Sequence, residues 1–367
     1  MSEGDPPRRL LLLPRYSSKG ASTRLRSLQY RPYLERAGFE IALHSLFDDA
    51  YLEMVYRGEA IGLRYASYLG QRLQRLRAAC DFDLVLLEKE ALPFVPWRVE
   101  KIALRHAQRL VVDYDDALFH RYDMHASGMV RALLGRKIDG VMARADMILA
   151  GNAYLADRAR EAGARRVEHL PTVIDLDLYH TMHRPSDDGR LRIGWIGTPE
   201  TWQRFGQPMR AMLERVASAQ GAVIRVVGAS ASAEQSSPFE YLPWSEEDEV
   251  ALLQGMDIGI MPLDDTPWSR GKCGYKLVQY MACGLPVVAS PIGVNSRLAI
   301  DGVTGFLATS EQEWEAALSR LLADPALRAR LGAEGRRLVE REYCLQVTGP
   351  RLVKLLSSLL PRERSRA

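Results

Sequence analysis

Residues 269–294, SRGKCGYKLVQYMACGLPVVASPIGV, decide the fold. The pattern is a loop with glycines and lysines, then a helix, a Gly-Leu-Pro turn and a short apolar strand. Gly271 and Gly274 allow the backbone to approach a ligand closely. The helix N-terminus offers free N–H groups, and Lys272 and Lys276 add positive charge that suits a diphosphate. The stretch therefore predicts an anion site, with a glycine turn and solvated lysines as the alternative.

Short apolar runs alternate with longer helical stretches on both sides of this segment, which is typical of parallel sheets with crossover helices. The alternation stops at residues 171–190, where Pro, Asp and Gly predict a linker, and then restarts. We therefore expect an α/β protein with two doubly wound units. The predicted strands are residues 10–14, 39–43, 84–87, 110–113, 147–150, 167–170, 191–196, 223–227, 258–261, 287–289 and 305–307.

The composition excludes several classes of protein. The chain has 367 residues, of which 47% are hydrophobic and 26% charged, as in ordinary globular proteins. Its formal net charge of +3 does not indicate a nucleic-acid partner. The four cysteines show no C-x-x-C spacing, so we expect reduced thiols. No apolar run approaches the roughly 20 residues of a spanning helix, and MSEGDPPRRL does not resemble a signal peptide, so we expect a cytoplasmic protein.

Nucleotide-binding motifs of other classes are absent from the sequence. No G-x-x-x-x-G-K-[ST] loop is present, and no G-x-G-x-x-G follows a predicted strand. A P-loop enzyme or a dinucleotide oxidoreductase is therefore disfavoured.

Two motifs carry a resemblance to a known family. Residues 279–288, QYMACGLPVV, resemble the E-A-M-A-x-G-x-P-V-V segment of retaining GT-B glycosyltransferases of family 4, the glycosyl transferases group 1. Residues 301–307, DGVTGFL, resemble the D-G-x-x-G-x-L element of the same family. Weaker matches follow in the family's order at residues 171–175, 194–199, 227–228 and 257–262, so the resemblance covers the C-terminal half densely and the N-terminal half thinly.

The resemblance implies a GT-B fold, in which two Rossmann-like domains face a central cleft. It implies an acceptor-binding domain at residues 1–180, a nucleotide-sugar domain at residues 181–343 and a helix at residues 344–367 that crosses back to the first domain. In this family the loop after the first strand of the second domain faces the donor phosphates, and the helix of the deciding segment contacts the ribose. The donor-binding residues so implied are Gly197, Thr198, Gly228, Lys272, Gly274, Tyr275, Lys276 and Gln279.

The chain departs from the family at its Glu-x7-Glu pair, whose positions here are Gly271 and Gln279. Gln279 retains hydrogen-bonding capacity toward a ribose, without the charge of a carboxylate. Gly271 has no side chain to hold the donor hexose, so we expect Asp264, Asp265 or a neighbouring group to do so. The sequence does not distinguish a UDP-sugar from a GDP-sugar.

Three carboxylates follow a predicted strand in VVDYDDALF, at Asp113, Asp115 and Asp116. Carboxylates this close repel one another, which favours a binding role. Asp115 lies where many family members have a functional His, so we name these three residues, with Lys276 for the leaving group, as catalytic candidates. Asp residues that cap the following turn are the alternative. A D-x-D metal site is typical of GT-A enzymes instead, so we expect no essential metal.

The acceptor candidates lie after the first and third strands. Gly20, Ser22 and Arg24 follow the first strand, with Ser22 as a helix N-cap, and an ordinary capped turn is the alternative. Glu90 follows the third strand, in LLEKE.

We therefore predict metal-independent, retaining transfer of a sugar from a nucleoside diphosphate to a hydroxyl of a glycan, a lipid-linked glycan or a small molecule. The alternatives are a non-catalytic nucleotide-sugar-binding scaffold and a nucleotide-sugar 2-epimerase. Residues 51–77 and 355–366 are amphipathic or basic, so contact with the inner membrane face is a further expectation.

Overall fold

The computed structural model describes residues 8–57, 59, 62–181, 188–229 and 238–361. The chain divides into two compact units: residues 1–172 together with 348–367, and residues 173–347. The first boundary lies eight positions before the expected limit at residue 180. His183, Pro185 and Asp187 of the expected linker lie outside the described residues.

The first unit is built on a six-stranded parallel sheet of order β2-β1-β3-β4-β5-β6. The order reverses between β1 and β3, and right-handed crossovers then place helices on both faces, as in doubly wound folds. The loops after β1, β3 and β4 consequently meet at the carboxyl edge of the sheet. The strands are β1 (Arg8–Leu13), β2 (Phe39–Leu43), β3 (Leu84–Glu88), β4 (Leu110–Tyr114), β5 (Met147–Ala150) and β6 (Val167–His169).

The second unit repeats this plan with the strand order β12-β11-β10-β7-β8-β9. Its order reverses between β7 and β10, so the loops that follow these two strands flank the point where such sheets bind ligands. The strands are β7 (Arg192–Ile196), β8 (Val223–Val227), β9 (Phe239–Leu242), β10 (Ile258–Met261), β11 (Val287–Ala289) and β12 (Gly305–Leu307). The two doubly wound α/β units confirm the predicted fold class.

The helices connect these strands. The first unit contains α1 (Ala21–Arg26), α2 (Arg31–Arg36), α3 (Asp49–Tyr56), α4 (Arg64–Arg77), α5 (Trp97–Leu104), α6 (His120–Asp123), α7 (Gly128–Leu134), α8 (Lys137–Arg144) and α9 (Ala153–Glu161). The second contains α10 (Pro199–Thr201), α11 (Arg210–Gln220), α12 (Glu249–Gln254), α13 (Pro267–Arg270), α14 (Tyr275–Ala282), α15 (Asn295–Leu298), α16 (Glu311–Ala323) and α17 (Pro325–Glu342). Short 3₁₀ turns lie at Leu28–Tyr30, Ala78–Asp81 and Gln207–Met209, and a π-helical turn lies at Trp202–Gly206.

The last helix, α18 (Leu345–Ser357), contributes to both units. From Thr348 onward it belongs to the first, where the Thr348 hydroxyl lies 3.0 Å from the hydroxyl of Tyr30. Gly349 lies so close to the ring of Tyr33 that a Cβ there would be 2.6 Å from it.

Several helical stretches are interrupted. Residues 22–37 contain two short helices, because Pro32 lies in the first turn of α2 and cannot donate within a continuous helix. Residues 130–145 are likewise divided at Gly135, the C-cap of α7. Ser245 closes a turn by accepting from the N–H of Asp248. Asn152 caps α9, since its side chain accepts from the Leu155 N–H at 2.9 Å.

Within the described residues, no helix combines the length and the apolarity needed to cross a bilayer. Cys80 is exposed, and Cys273, Cys283 and Cys344 are buried as free thiols, as predicted. Burial raises the pKa of the Cys283 thiol to about 12, so this thiol is protonated at neutral pH.

The close packing of α17 on the second sheet depends on a missing side chain. A Cβ on Gly332 would lie 1.8 Å from the carbonyl oxygen of Gly284, which is a backbone atom that cannot rotate away. Gly332 therefore fixes how closely the helix approaches the turn after α14.

We expect Gly332→Ala to destabilise the second unit by about 1–3 kcal/mol, because overpacking forces the backbone to move. Gly70→Ala is the matched control, since Gly70 lies in α4 and a Cβ there would have no neighbouring atom within 4 Å. Chemical denaturation would measure both changes. Gly70→Ala should be neutral or stabilising by up to about 1 kcal/mol. An unchanged free energy of unfolding for Gly332→Ala would contradict the packing argument.

Candidate functional site

The carboxyl edge of the first sheet holds a buried network of charges. Asp113, the predicted catalytic candidate in β4, is 4% exposed and forms a two-pronged ion pair with Arg26 of α1. Arg26 also donates to the carbonyl oxygen of Leu170 at 2.8 Å. Breaking such a buried pair costs about 3–5 kcal/mol, because it leaves an uncompensated charge. Asp113 therefore fastens α1 to the sheet through both of its oxygens, and its catalytic role stays a prediction.

Glu90, the predicted acceptor contact, is also inside the fold. Its carboxylate accepts from Arg15 at 3.0 Å and from the hydroxyl of Tyr122 at 2.8 Å, and it pairs with Lys137. Lys137 in turn lies 2.9 Å from Glu100. The side chain of Glu90 is fully buried and its partners are supplied by the protein, which gives it a structural role, and its contact with the acceptor stays a prediction.

Asp115 and Asp116 lie in the loop after β4 and share one cation. The ammonium of Lys89 is 2.8 Å from Asp115 and 2.7 Å from Asp116. Burial alone would raise the pKa of Asp115, but the charges of Lys89 and Arg26 outweigh it and hold this pKa at about 2. Asp115 is accordingly ionised at neutral pH. Both carboxylates are more exposed than Asp113.

The loop after β1 differs in part from the prediction. The N-cap of α1 is Gly20 and not Ser22, and a Cβ on Gly20 would lie 2.5 Å from Cβ of Tyr16. Ser22 instead donates to the carboxylate of Asp115, which lowers the pKa of that group. Arg24 donates to the carbonyl oxygens of Ser18 and Lys19 at the surface. Of these three residues, Ser22 is the one that the structure joins to the acidic loop.

In the second unit, the ammonium of Lys276 lies beside the loop after β7. Its Nζ lies 4.2 Å from the centre of the Trp195 ring, and a Cβ on Gly197 would lie 2.6 Å from this Nζ. No carboxylate among the residues that the structure describes pairs with this ammonium. Burial and the nearby charge of Lys272 lower the pKa of Lys276 to about 7. An uncompensated, desolvated cation of this kind is a strong indication of an anion site.

Two further cations lie near this lysine. The Lys272 ammonium is 5.6 Å from the centre of the Phe205 ring, and the guanidinium of Arg204 is 5.0 Å from the same centre. Asp264 holds Arg204 through bonds of 3.1 and 2.8 Å, and it also accepts from Thr266 and Ser269. Asp264 thus orients a cation, which makes it unsuited to replace the missing hexose ligand. Asp265 is paired with Arg270 and is exposed.

Glycines shape the floor of this cation cluster. Gly228 follows β8 with a φ of +83°, and a Cβ there would lie 2.3 Å from the carbonyl oxygen of Gly197. Gly197 itself leaves the space that Lys276 enters. Thr198 and Thr201 cap α10 reciprocally, with the Thr198 N–H 3.1 Å from the Thr201 hydroxyl. Thr198 therefore has a capping role at the position where the resemblance implies a phosphate contact.

The remaining donor candidates lie on or before α14. Gly274 is its N-cap with a φ of +68°, and a Cβ there would be 2.5 Å from Leu298. Tyr275 is partly exposed in the first turn. Gln279 is 2% exposed, and its amide donates to the Tyr179 hydroxyl at 2.9 Å. That hydroxyl donates to Glu249 at 2.5 Å, so Gln279 lies at the inner end of a hydrogen-bonded chain.

Sequence reasoning missed two polar groups of these sites. Lys89 has no motif to mark it, because its importance depends on a backbone φ of +64° that turns its side chain toward Asp115. Trp244, assigned to packing, is 40% exposed and donates to Glu249 at 2.7 Å. Trp202 is buried in the core, in agreement with its packing assignment.

The chain resembles known glycosyltransferases in both sequence and structure. The model of the family Glycosyl transferases group 1 matches residues 190–324. A GDP-mannose-dependent monoacylated alpha-(1-6)-phosphatidylinositol monomannoside mannosyltransferase of Corynebacterium glutamicum is 27% identical over 215 residues, 52% of this chain and 56% of the relative. The match thus spans little more than half of this curated relative.

Solved structures share the fold over nearly the whole chain. Alr3699/HepE of Anabaena, crystallised with UDP and glucose, has a TM-score of 0.67 at 18% identity, covering 96% of this chain and 100% of that one. Sucrose-phosphate synthase of Thermosynechococcus elongatus has a TM-score of 0.69 at 15% identity, covering 96% of this chain and 99% of that one. The chain therefore has the fold of the GT-B glycosyltransferases, and its residues 190–324 are similar to the glycosyl transferases group 1 family.

Proposed function

We propose that the protein transfers a sugar from a nucleoside diphosphate to a hydroxyl acceptor, with the diphosphate bound by the second unit. The observation that carries the proposal is the desolvated ammonium of Lys276, which has no carboxylate partner among the described residues. A fold at equilibrium tolerates such a group at a cost in free energy, and a bound anion would remove that cost.

The cation cluster suits a diphosphate better than a single small anion. Lys276 lies in the first turn of α14, Lys272 lies in the loop just before this helix, and Arg204 is held by Asp264. Spaced cations can contact separate phosphate groups, and the N-terminus of α14 favours negative charge as well. Gly197 and Gly228 keep side chains out of the adjoining space.

The same charges would act on the reaction. In the transfer, the bond between the sugar C1 and the diphosphate oxygen breaks, a bond from C1 to the acceptor oxygen forms, and the acceptor hydroxyl loses its proton. Negative charge develops on the departing diphosphate, and preorganised cations stabilise that charge. Lys276 is thus our candidate for leaving-group stabilisation, with Lys272 beside it.

We propose that the transfer needs no essential metal and retains the anomeric configuration. Two ion pairs support the first point, because both carboxylates of the D-x-D pattern already meet a cation of the protein, Asp113 that of Arg26 and Asp115 that of Lys89. Retention rests on the family resemblance. The acceptor is then a glycan, a lipid-linked glycan or a small molecule, and the corynebacterial relative, by its name, acts on a phosphatidylinositol mannoside.

We keep a cytoplasmic location, with contact at the inner membrane face, as part of the proposal. Part of the basic surface expected to support it, at Arg362, Arg364 and Arg366, lies outside the described residues. Salt-sensitive sedimentation with anionic liposomes would test this contact.

A non-catalytic scaffold is the second candidate, and the burial of Gln279 favours it. With this amide bonded to Tyr179, the usual ribose contact is occupied within the protein. Tight binding of a nucleotide sugar without transfer to any acceptor would support the scaffold. Conversion of the nucleotide sugar alone to its 2-epimer would support the epimerase.

A binding screen tests the donor site. We expect UDP or GDP, or one of their sugar conjugates, to raise the melting temperature, because a ligand that binds only the folded state stabilises it, by about 2.7 kcal/mol at 100 times Kd. Added EDTA should not alter the shift. Lys276→Met should reduce the affinity by about 10-fold or more, since a charged hydrogen bond contributes about 1.5–3 kcal/mol.

The matched control is Arg320→Met. Arg320 also lies over an aromatic ring, 5.3 Å from the centre of Phe306, but it belongs to α16 and not to the cation cluster. This variant should bind as the parent does. No shift with any nucleotide, or equal affinity for Lys276→Met and the parent, would contradict the proposed donor site.

Binding should also take up a proton. With a pKa of about 7, Lys276 is mostly neutral at pH 8, and a bound diphosphate raises this pKa and favours the charged form. A nucleotide sugar has no phosphate group that titrates near neutrality, so the uptake reports on the protein. We expect close to one proton per ligand at pH 8 and little at pH 6, with affinity falling as pH rises above 7.

Calorimetry in buffers of different ionisation enthalpy measures this uptake. The same lowered pKa determines how the stability of the ligand-free protein changes with pH. Because the unfolded chain holds the lysine proton up to its ordinary pKa of about 10.4, the folded state gains stability as pH rises from 7 to 10. Lys276→Met should abolish both effects. Buffer-independent heats at pH 8 would show that Lys276 is not at the anion site.

A further inference from the structure

The solvent face of helix α5 carries apolar side chains. Val99 is 50% exposed and Ile102 is 58% exposed. The two residues are three positions apart, so they are neighbours on one face of the helix. A surface helix normally turns such side chains toward the core and polar side chains toward water. The exposed apolar pair therefore indicates an interaction surface.

Exposed cations lie beside this pair. Arg98, Lys101 and Arg105 are spaced by three and four positions, which places them in one row along the helix. No carboxylate in the described part of the chain forms an ion pair with Arg98 or Lys101. The acid of this helix, Glu100, is 0% exposed and lies 2.9 Å from Lys137 inside the fold. The charges on the solvent face of α5 are thus all positive.

An exposed aromatic ring precedes α5. Phe94 is 47% exposed, and its φ of +58° is one that non-glycine residues rarely adopt. Its N–H donates to the hydroxyl of Tyr122 at 3.1 Å, and the guanidinium of Arg121 lies 6.0 Å from the centre of its ring. The fold therefore holds this ring at the surface, close to a further cation.

The combination of cations and apolar side chains indicates what covers this face. A bilayer with anionic lipids attracts cations at its surface, and apolar side chains strengthen the contact by entering the boundary between headgroups and acyl chains. A protein partner instead makes its strongest contacts in pockets, which the convex face of a single helix does not provide. A fluid bilayer adapts to such a face.

We propose that one face of the first unit docks on a bilayer that contains anionic phospholipids. This surface, the α5 face, is formed by Phe94, Arg98, Val99, Lys101, Ile102 and Arg105. The inference rests on the proposed membrane contact and assigns it to a surface other than residues 51–77 and 355–366. It does not depend on the donor site of the second unit.

Sedimentation of the full chain with vesicles tests this docking without any nucleotide. We expect the protein to sediment with vesicles of phosphatidylglycerol and phosphatidylcholine, and less so at high salt, because salt screens surface charges. Vesicles of phosphatidylcholine alone should not carry it down. An absence of sedimentation with the anionic vesicles would overturn both the inference and the membrane contact. The donor site would be unaffected, since nucleotide binding is measured separately.

Two double variants separate the contributions to docking. Arg98→Gln with Lys101→Gln should weaken binding to the anionic vesicles about 30-fold, because each cation near such a surface contributes about 5-fold. Val99→Ser with Ile102→Ser should weaken it by about 10-fold or more, since apolar burial is lost. Serine has nearly the helix propensity of valine and isoleucine, so these exposed changes should leave the fold intact, which circular dichroism checks.

The matched comparison is Arg75→Gln with Arg77→Gln, which removes two exposed arginines from the last turn of α4. These residues belong to the other basic segment considered for membrane contact. We expect a loss of no more than about 2-fold, because charges farther than a Debye length from the lipid are screened. A loss at least as large as that of the Arg98 and Lys101 pair would contradict the inference and leave the membrane contact itself standing.

A fluorophore on α5 reports directly on its contact with lipid. Ile102→Cys carries an environment-sensitive dye in a Cys80→Ser background, because Cys80 is an exposed cysteine. Anionic vesicles should shift the emission to shorter wavelengths. Unchanged emission from a protein that sediments with the vesicles would overturn the inference. So would a dimer, detected by light scattering, that Val99→Ser with Ile102→Ser dissociates without any loss of sedimentation.

Discussion

The ammonium of Lys276 is the charge on which the proposed function depends. It lies over the indole of Trp195 in space that Gly197 leaves open, and the charge that acts on it is that of another lysine. Folding normally pairs or solvates a cation, because isolation of charge from water is costly. The second unit maintains this unfavourable arrangement at the reversal point of its sheet, between the loops after β7 and β10, where doubly wound sheets bind ligands.

The two units treat their charges differently although they share a topology. In the first unit, Arg26, Lys89 and Lys137 each meet a carboxylate. In the second, the cations gather around Trp195 and Phe205, where Asp264 holds Arg204 and Lys276 is half-buried near a like charge. This second arrangement suits phosphates.

Local patterns predicted the sheets well and the sites less well. Met147–Ala150 and Ile258–Met261 lie where short apolar runs place them, since a buried parallel strand must be apolar on both faces. Lys276 was found because glycines and lysines before a helix are a local pattern. The ion pairs of Asp113 and Glu90 were not predicted, because their partners, Arg26 and Lys137, are distant in sequence and become neighbours only through the fold.

The sequence also did not predict residues whose role depends on the conformation they adopt in the folded protein. No residue type signals that Lys89 will adopt a left-handed backbone or that Gln279 will turn inward to Tyr179. Strand β9 was also missed, since FEYL is short and only partly apolar. Such features follow from tertiary packing, which overrides local preference.

A crystal structure of the protein with the nucleoside diphosphate it binds would test the central claim most directly. We expect a diphosphate oxygen within salt-bridge distance of Nζ of Lys276, with phosphate against Gly197 and the first turn of α14. A diphosphate bound elsewhere, with Lys276 still uncompensated over Trp195, would contradict the claim.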